Sequence, residues 1–117
     1  MEKKYSEIWM ALVHIQAKDG LAFNDLLDLS EDTTNQIYVG AFAQVLVKTK
    51  TRKRALEIIP LGMSEKEFVV VSIEGVKRLQ PLVDKGEINI SYIGEADWLL
   101  ESCFIFKIAD KLWTYLN

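Results

Sequence analysis

The chain's single histidine, His14, and single cysteine, Cys103, are the side chains whose chemistry would matter first for an enzyme. Nucleophilic catalysis needs a nucleophile, a base and a group that orients the base, and the base is nearly always His. His14 lies in "ALVHIQA". If that segment is a strand, His14 sits opposite Trp9, Val13 and Ile15, among Met10, Leu12 and Gln16, and a half-buried or surface structural imidazole is expected. Cys103 lies in "ESCFIFKI", with no His, Lys or Arg after it until Lys107. Apolar surroundings disfavour the thiolate, so it is expected to be an inert core thiol. No GxSxG, CxxC or HExxH pattern occurs, and a catalytic function is not expected.

Metal and phosphate chemistry fare no better. "DLLDLSED" supplies Asp25, Asp28, Glu31 and Asp32 but lacks the Gly and the alternating ligands of an EF-hand loop. The glycines, at 20, 40, 62, 75, 86 and 94, are scattered singly, so no run of backbone N–H groups beside a Lys forms a phosphate cradle. No metal and no cofactor is expected.

The remaining candidates are charged surfaces. In helical geometry Asp25, Asp28 and Asp32 share one side, spaced by three and four, with Glu31 beside them; that is a solvated face or a docking face. A second acidic group, "GEADWLLE", sets Glu95, Asp97 and Glu101 around Trp98. A Trp within carboxylates has the anchor-and-rim make-up of an interface that receives Lys and Arg, although plain core is the simpler assignment for Trp98.

Against these acids stands "VLVKTKTRKRALEIIP", which holds Lys48, Lys50, Arg52, Lys53 and Arg54. The formal net charge is −3, and without these five cations nine basic residues face seventeen acidic ones, a net of −8. A phosphate clamp over residues 48–54 would release counterions on binding, yet no aromatic residue for base stacking is interleaved up to Pro60. The simpler reading is a strand end, a turn at Thr49 to Thr51 and a helix start. Arg52, Lys53 and Arg54 then sit at the positive end of a helix dipole, where each exposed cation costs about 0.3–1 kcal/mol. Stability alone would have placed acids there, so Lys50, Arg52, Lys53 and Arg54 are a candidate second docking or oligomer patch.

The elements that must position these groups follow from periodicity. "IWMALVHIQAKDG" is expected to be a strand with Trp9, Ala11, Val13, Ile15 and Ala17 on one face, and "GLAFNDLLDLSEDTT" a short helix or helical turn centred on Leu26 and Leu27. The segment from Ile37 to Val47 is apolar on both faces and suits a central strand. Thr51 is the expected N-cap of a helix ended by Pro60 and Gly62. "EFVVVSIE" reads as a buried strand, completing a βαβ unit with a right-handed crossover. "GVKRLQPLVDKGE" reads as a short helix stopped by Gly86, and "INISYIG" as a strand. The tail from Trp98 divides at Ala109 to Lys111, as a hairpin or as a strand followed by a helix. The sum is a single α+β domain over residues 1–117, a mixed sheet with two or three short helices, for which a ferredoxin-like arrangement is one candidate.

At 117 residues and half apolar letters the chain can bury roughly two-thirds of its unfolded surface without staples. One cysteine, no apolar run long enough to span a bilayer and no signal-peptide layout lead to an expectation of cytoplasmic location. The profile of a small acidic α+β domain with exposed "NDLLDLSED" and "GEADWLLE" and a central "IYVGAFAQVLV" strand resembles the immunity proteins of bacterial toxin–immunity systems, including those of contact-dependent growth inhibition. The resemblance spans the whole chain at the level of profile, and no motif transfers residue by residue. It implies a non-catalytic inhibitor that covers a basic toxin domain, such as a nuclease, through Asp25, Asp28, Glu31, Asp32, Glu95, Asp97 and Glu101, with Trp98 as anchor. The alternatives are a small acidic secretion or folding chaperone acting as a homodimer, and a nucleic-acid-binding regulator using residues 48–54. No membrane partner is expected.

Overall fold

The structure, a computed structural model, describes residues 4–26 and 38–116. The expected helix around Leu26 and Leu27 is described only as a 3-10 turn at Phe23–Leu26, and its remainder lies outside the described residues. Four strands and three helices follow one another as β1 (Ile8–Ala17), β2 (Tyr38–Lys48), α1 (Arg52–Glu65), β3 (Phe68–Arg78), α2 (Leu79–Asp84), α3 (Ile90–Glu101) and β4 (Phe106–Leu116). The fold is α+β, with one four-stranded sheet in the order β3-β1-β2-β4. Every neighbouring pair is antiparallel, with Trp9 opposite Val47 and Val13 opposite Ala43 in the central pair. Because β2 and β3 both run against β1, they are parallel to each other with β1 between them, so the βαβ unit is a split one.

The period of two decides which side of the sheet each residue serves. Trp9, Ala11, Val13 and Ile15 of β1 and Ala41, Ala43, Val45 and Val47 of β2 are buried against Ala55, Ile58, Ile59 and Met63 of α1. Thr51 caps α1 as expected, its Oγ1 accepting from the Arg54 N–H at 3.1 Å. Pro60 and Gly62 do not end this helix, which runs on to Glu65. Pro60 is exposed, so its missing N–H leaves a gap on the solvent side. Gly62 is required: a Cβ there would meet the Phe106 ring at 2.5 Å.

Among the described residues, the second face is covered at one end. Ile8 and Met10 of β1, Leu46 of β2 and Ala109 of β4 pack against Leu79 of α2 and Ala96 and Leu99 of α3. The stretch expected as a strand of mixed pattern, "INISYIG", is instead the cap and opening of α3. Asn89 Oδ1 accepts from the Ser91 N–H at 2.9 Å, and the helix continues through "EADWLLE", so capping and the inward spacing of Ala96 and Leu99 override the β-branched letters. Towards the other end of that face, Leu12, His14, Phe42, Gln44 and Tyr115 stay half-buried and belong to neither core cluster.

Two further expectations are corrected. β3 is an edge strand, not a buried one, with Val69 45% and Val71 51% exposed. The tail from Trp98 holds the end of α3 and a single strand, and its division at Ala109 to Lys111 is an irregularity in that strand's pairing, since Val45 faces Ile108 while Ala43 faces Leu112. Among the described residues no helix is long and apolar enough to cross a membrane.

Candidate functional site

The residues of "GEADWLLE" are carried on α3, whose turns send them in different directions. Asp97 accepts hydrogen bonds from the Tyr5 hydroxyl at 2.7 Å and the Lys4 ammonium at 2.9 Å. The Lys4 bond, seconded by Tyr5, holds its carboxyl below the usual carboxylate range, and the hydrogen bond to Asp97 pushes the Tyr5 phenol up. Glu95 accepts from Lys107 Nζ at 2.9 Å, in a pair whose side chains are only 14% and 19% exposed. Both carboxylates are therefore bonded inside the fold, and Glu101 stays exposed.

Trp98 is not core. It is 47% exposed and stacks on Phe104, itself 57% exposed, with centroids 5.8 Å apart and planes 9° from parallel. Ile105 continues the exposed apolar surface, and the Lys107 ammonium lies 5.6 Å from the Trp98 ring centre. The corner between α3 and β4 thus presents an aromatic pair bordered by Glu101. Cys103 lies in the same corner and is exposed, a correction to the expected core thiol. The physical reason is that α3 stops at Glu101 and β4 starts at Phe106, so the apolar letters between them form a surface turn.

This corner is held from the strand beneath it. Lys48 Nζ donates to the carbonyls of Leu99 and Ser102, each at 2.9 Å, and the Lys48 N–H donates to the Ile105 carbonyl at 2.8 Å. A cation at a helix C-terminus satisfies free carbonyls and opposes the negative dipole end. The first cation of the basic run is therefore turned inward. Arg54 is bonded to Glu57 at 3.1 Å, while Lys50, Arg52 and Lys53 are exposed at the turn and first turn of α1. The basic patch and the aromatic corner are thus joined through Lys48.

Asp28, Glu31 and Asp32 lie outside the described residues, and Asp25 is described by its backbone alone, in the 3-10 turn.

His14 is bonded to the Tyr115 hydroxyl and stacked on Phe42, with centroids 4.6 Å apart. Gln16 donates to the same hydroxyl at 3.2 Å. The Tyr115 ring lies over Gly40, where a Cβ would have no room. Among the described residues no carboxylate bonds His14, so the cluster lacks the group that would orient an imidazole base.

One cleft escaped sequence reading. Where α2 and α3 leave the second sheet face, Met10, Leu12 and Gln44 form the floor of a space of about 520 Å³. Its walls include Glu74, Gly75 and Lys77 of β3, and Glu87, Ile88 and Tyr92 of the α2–α3 connection and α3. Burial raises the pKa of the Tyr92 phenol, with Glu95 adding to the effect. The signal in the sequence was Gly75 inside a β-branched strand, with Glu74 and Lys77 flanking it. Among the described residues no group of three or more His, Cys, Asp or Glu could hold a metal ion.

Compared with known proteins, the chain matches no family model, no curated protein and no solved structure.

Proposed function

We propose that the protein is a non-catalytic binding protein of the immunity type, which neutralises a basic toxin domain by covering it with the α3–β4 corner. The observation that carries this reading is the stacked, half-exposed pair Trp98 and Phe104, extended by Ile105. Large aromatic rings held in place before binding cost little further entropy to dock, and such anchors dominate interface energies. Rigidity comes from Lys48 beneath the helix end and from the Glu95–Lys107 pair. The surplus of carboxylates outside residues 48–54 supplies attraction at a distance for a basic partner, with Glu101 at the rim and Asp25, Asp28, Glu31 and Asp32 as further acids of the same sign.

The test is binding between the purified protein and the toxin domain encoded by a neighbouring gene, measured by kinetics at two salt concentrations. The wild type is expected to associate faster at low salt, and Trp98→Ala and Phe104→Ala are each expected to weaken the complex by about tenfold or more. Unchanged affinity in both variants would remove the corner from the interface.

Among the described residues no strand lies beside the outer edge of β3, which favours a second reading, a small acidic chaperone acting as a homodimer. Val69 and Val71 are exposed on that edge, and an unpaired apolar strand is a template for pairing with a second copy. Light scattering distinguishes the two: a stable dimer lost in Val71→Lys supports the chaperone, and a monomer disposes of it.

A further inference from the structure

The cleft between β3 and the α2–α3 connection is lined by ionic groups of both signs. Several ionic groups on this side of the sheet are bonded within the fold, as Glu95 is to Lys107, Asp97 to Lys4 and Tyr5, and Lys48 to two carbonyls. In the cleft, the side chains of Glu74, Glu87, Lys77 and Gln44 have no hydrogen-bond or ion-pair partner among the described residues. Glu74 and Lys77 carry opposite charges on one strand and still do not meet. A backbone bulge sets their spacing. Leu12 faces Glu74 and Met10 faces Lys77, so one residue of β1, Ala11, is matched by two of β3, Gly75 and Val76, a bulge with Gly75 at φ +60°. Positions two residues apart along β1 stand about 7 Å from each other. Nothing occupies the space next to Gly75 where a Cβ would point, so its backbone is open to a ligand.

Between the separated charges lies an apolar floor of Met10 and Leu12, walled by Ile88 and the Tyr92 ring. A volume of about 520 Å³ falls within the range of small-molecule sites. We propose that this cleft binds a small zwitterion with an apolar body, of the chemistry of a free aliphatic or thioether amino acid. Glu74 receives the ammonium, Lys77 the carboxylate, and Met10 and Leu12 the side chain. Gln44, on the floor, offers both an amide donor and an acceptor to the ligand's polar end. A ligand carrying a single charge would satisfy either Glu74 or Lys77 and leave the other with water.

The experiment is a titration of the full chain with leucine and with methionine, followed by amide correlation spectra. Isopentylamine and 4-methylpentanoate serve as probes bearing only the cation or only the anion. The expected result is saturable shifts at the amides of Leu12, Gln44, Gly75 and Lys77 with the amino acids, and binding of each single-charge probe weaker by about tenfold or more. Glu74→Gln and Lys77→Met are each expected to weaken amino-acid binding by about tenfold with an unchanged Tm, since neither side chain has a partner in the fold. Absence of saturable shifts at these amides up to about 10 mM of either amino acid would overturn the proposal. So would a single-charge probe that binds as tightly as leucine. The site is independent of the α3–β4 corner, so its failure leaves the docking proposal standing.

Discussion

Gly62 of α1 and Phe106 of β4 are in direct contact: a Cβ on Gly62 would lie 2.5 Å from Phe106 Cδ1 and 2.7 Å from its Cγ. Helix propensity alone favours Ala over Gly in a helix interior by about 1 kcal/mol. The aromatic ring reverses that sign, because displacing a packed ring costs about 1–3 kcal/mol. Gly62→Ala is therefore expected to lower stability in urea denaturation, and Gly62→Ala combined with Phe106→Leu to recover part of the loss. A rise in stability for Gly62→Ala alone would contradict the contact.

Lys48 ties the end of α3 to β2, and its removal should loosen the helix end without unfolding the sheet. Lys48→Met keeps most of the apolar stem but frees the carbonyls of Leu99 and Ser102. The expected loss is about 1–2 kcal/mol. Faster amide exchange at Leu99 to Ile105, with little change in the β1–β2 pair, would mark the effect as local. Uniform acceleration across the chain would mean that Lys48 supports the whole fold.

The difference between what was legible in the sequence and what was not follows the reach of the interactions. β1, β2 and the Thr51 cap are written in local patterns, an alternating face, a two-sided apolar run and one hydroxyl three residues before an N–H. The opening of α3 was misread because Ile88, Ile90, Tyr92 and Ile93 favour strands, while the spacing that makes the helix, Ala96 and Leu99, lies further along. The length of α1 was underestimated because Gly62 answers to Phe106, forty-four positions away, rather than to its neighbours. The charged candidates divide similarly. Glu95 and Asp97 look available until Lys107, Lys4 and Tyr5 arrive from other elements, and Glu74 and Lys77 look like ordinary surface until the bulge at Gly75 sets them apart.

Asp97 makes stability depend on acidity in a stated direction. Its carboxyl is held below the usual range in the fold, chiefly by Lys4 and then by Tyr5. The stabilisation is complete above the pKa of an unfolded Asp, about 4, and is lost as pH falls through the lower folded value. The stability difference between the wild type and Asp97→Asn should be constant from about pH 5 to pH 8 and should shrink below about pH 4. Tyr5→Phe, which removes one hydrogen bond at a partly exposed site, should cost about 0.5–1 kcal/mol. A difference that grew on acidification would reverse the assigned sign.

Neighbouring residues of α3 separate binding from folding. Leu99 is fully buried in the second core cluster, whereas Trp98, one position earlier, is 47% exposed and rests on Phe104. Leu99→Ala should cost about 2–5 kcal/mol through lost burial and a residual cavity. Trp98→Ala leaves no closed cavity, since its open side already faces water, and should cost about 1 kcal/mol, mainly the stacking with Phe104. Denaturation of the two variants side by side checks the order. If Trp98→Ala proved as damaging as Leu99→Ala, the indole would be part of the structural core. A small loss instead leaves the Trp98 ring as apolar surface that the fold does not need for itself, the condition under which a binding defect in Trp98→Ala can be read as lost contact rather than lost structure.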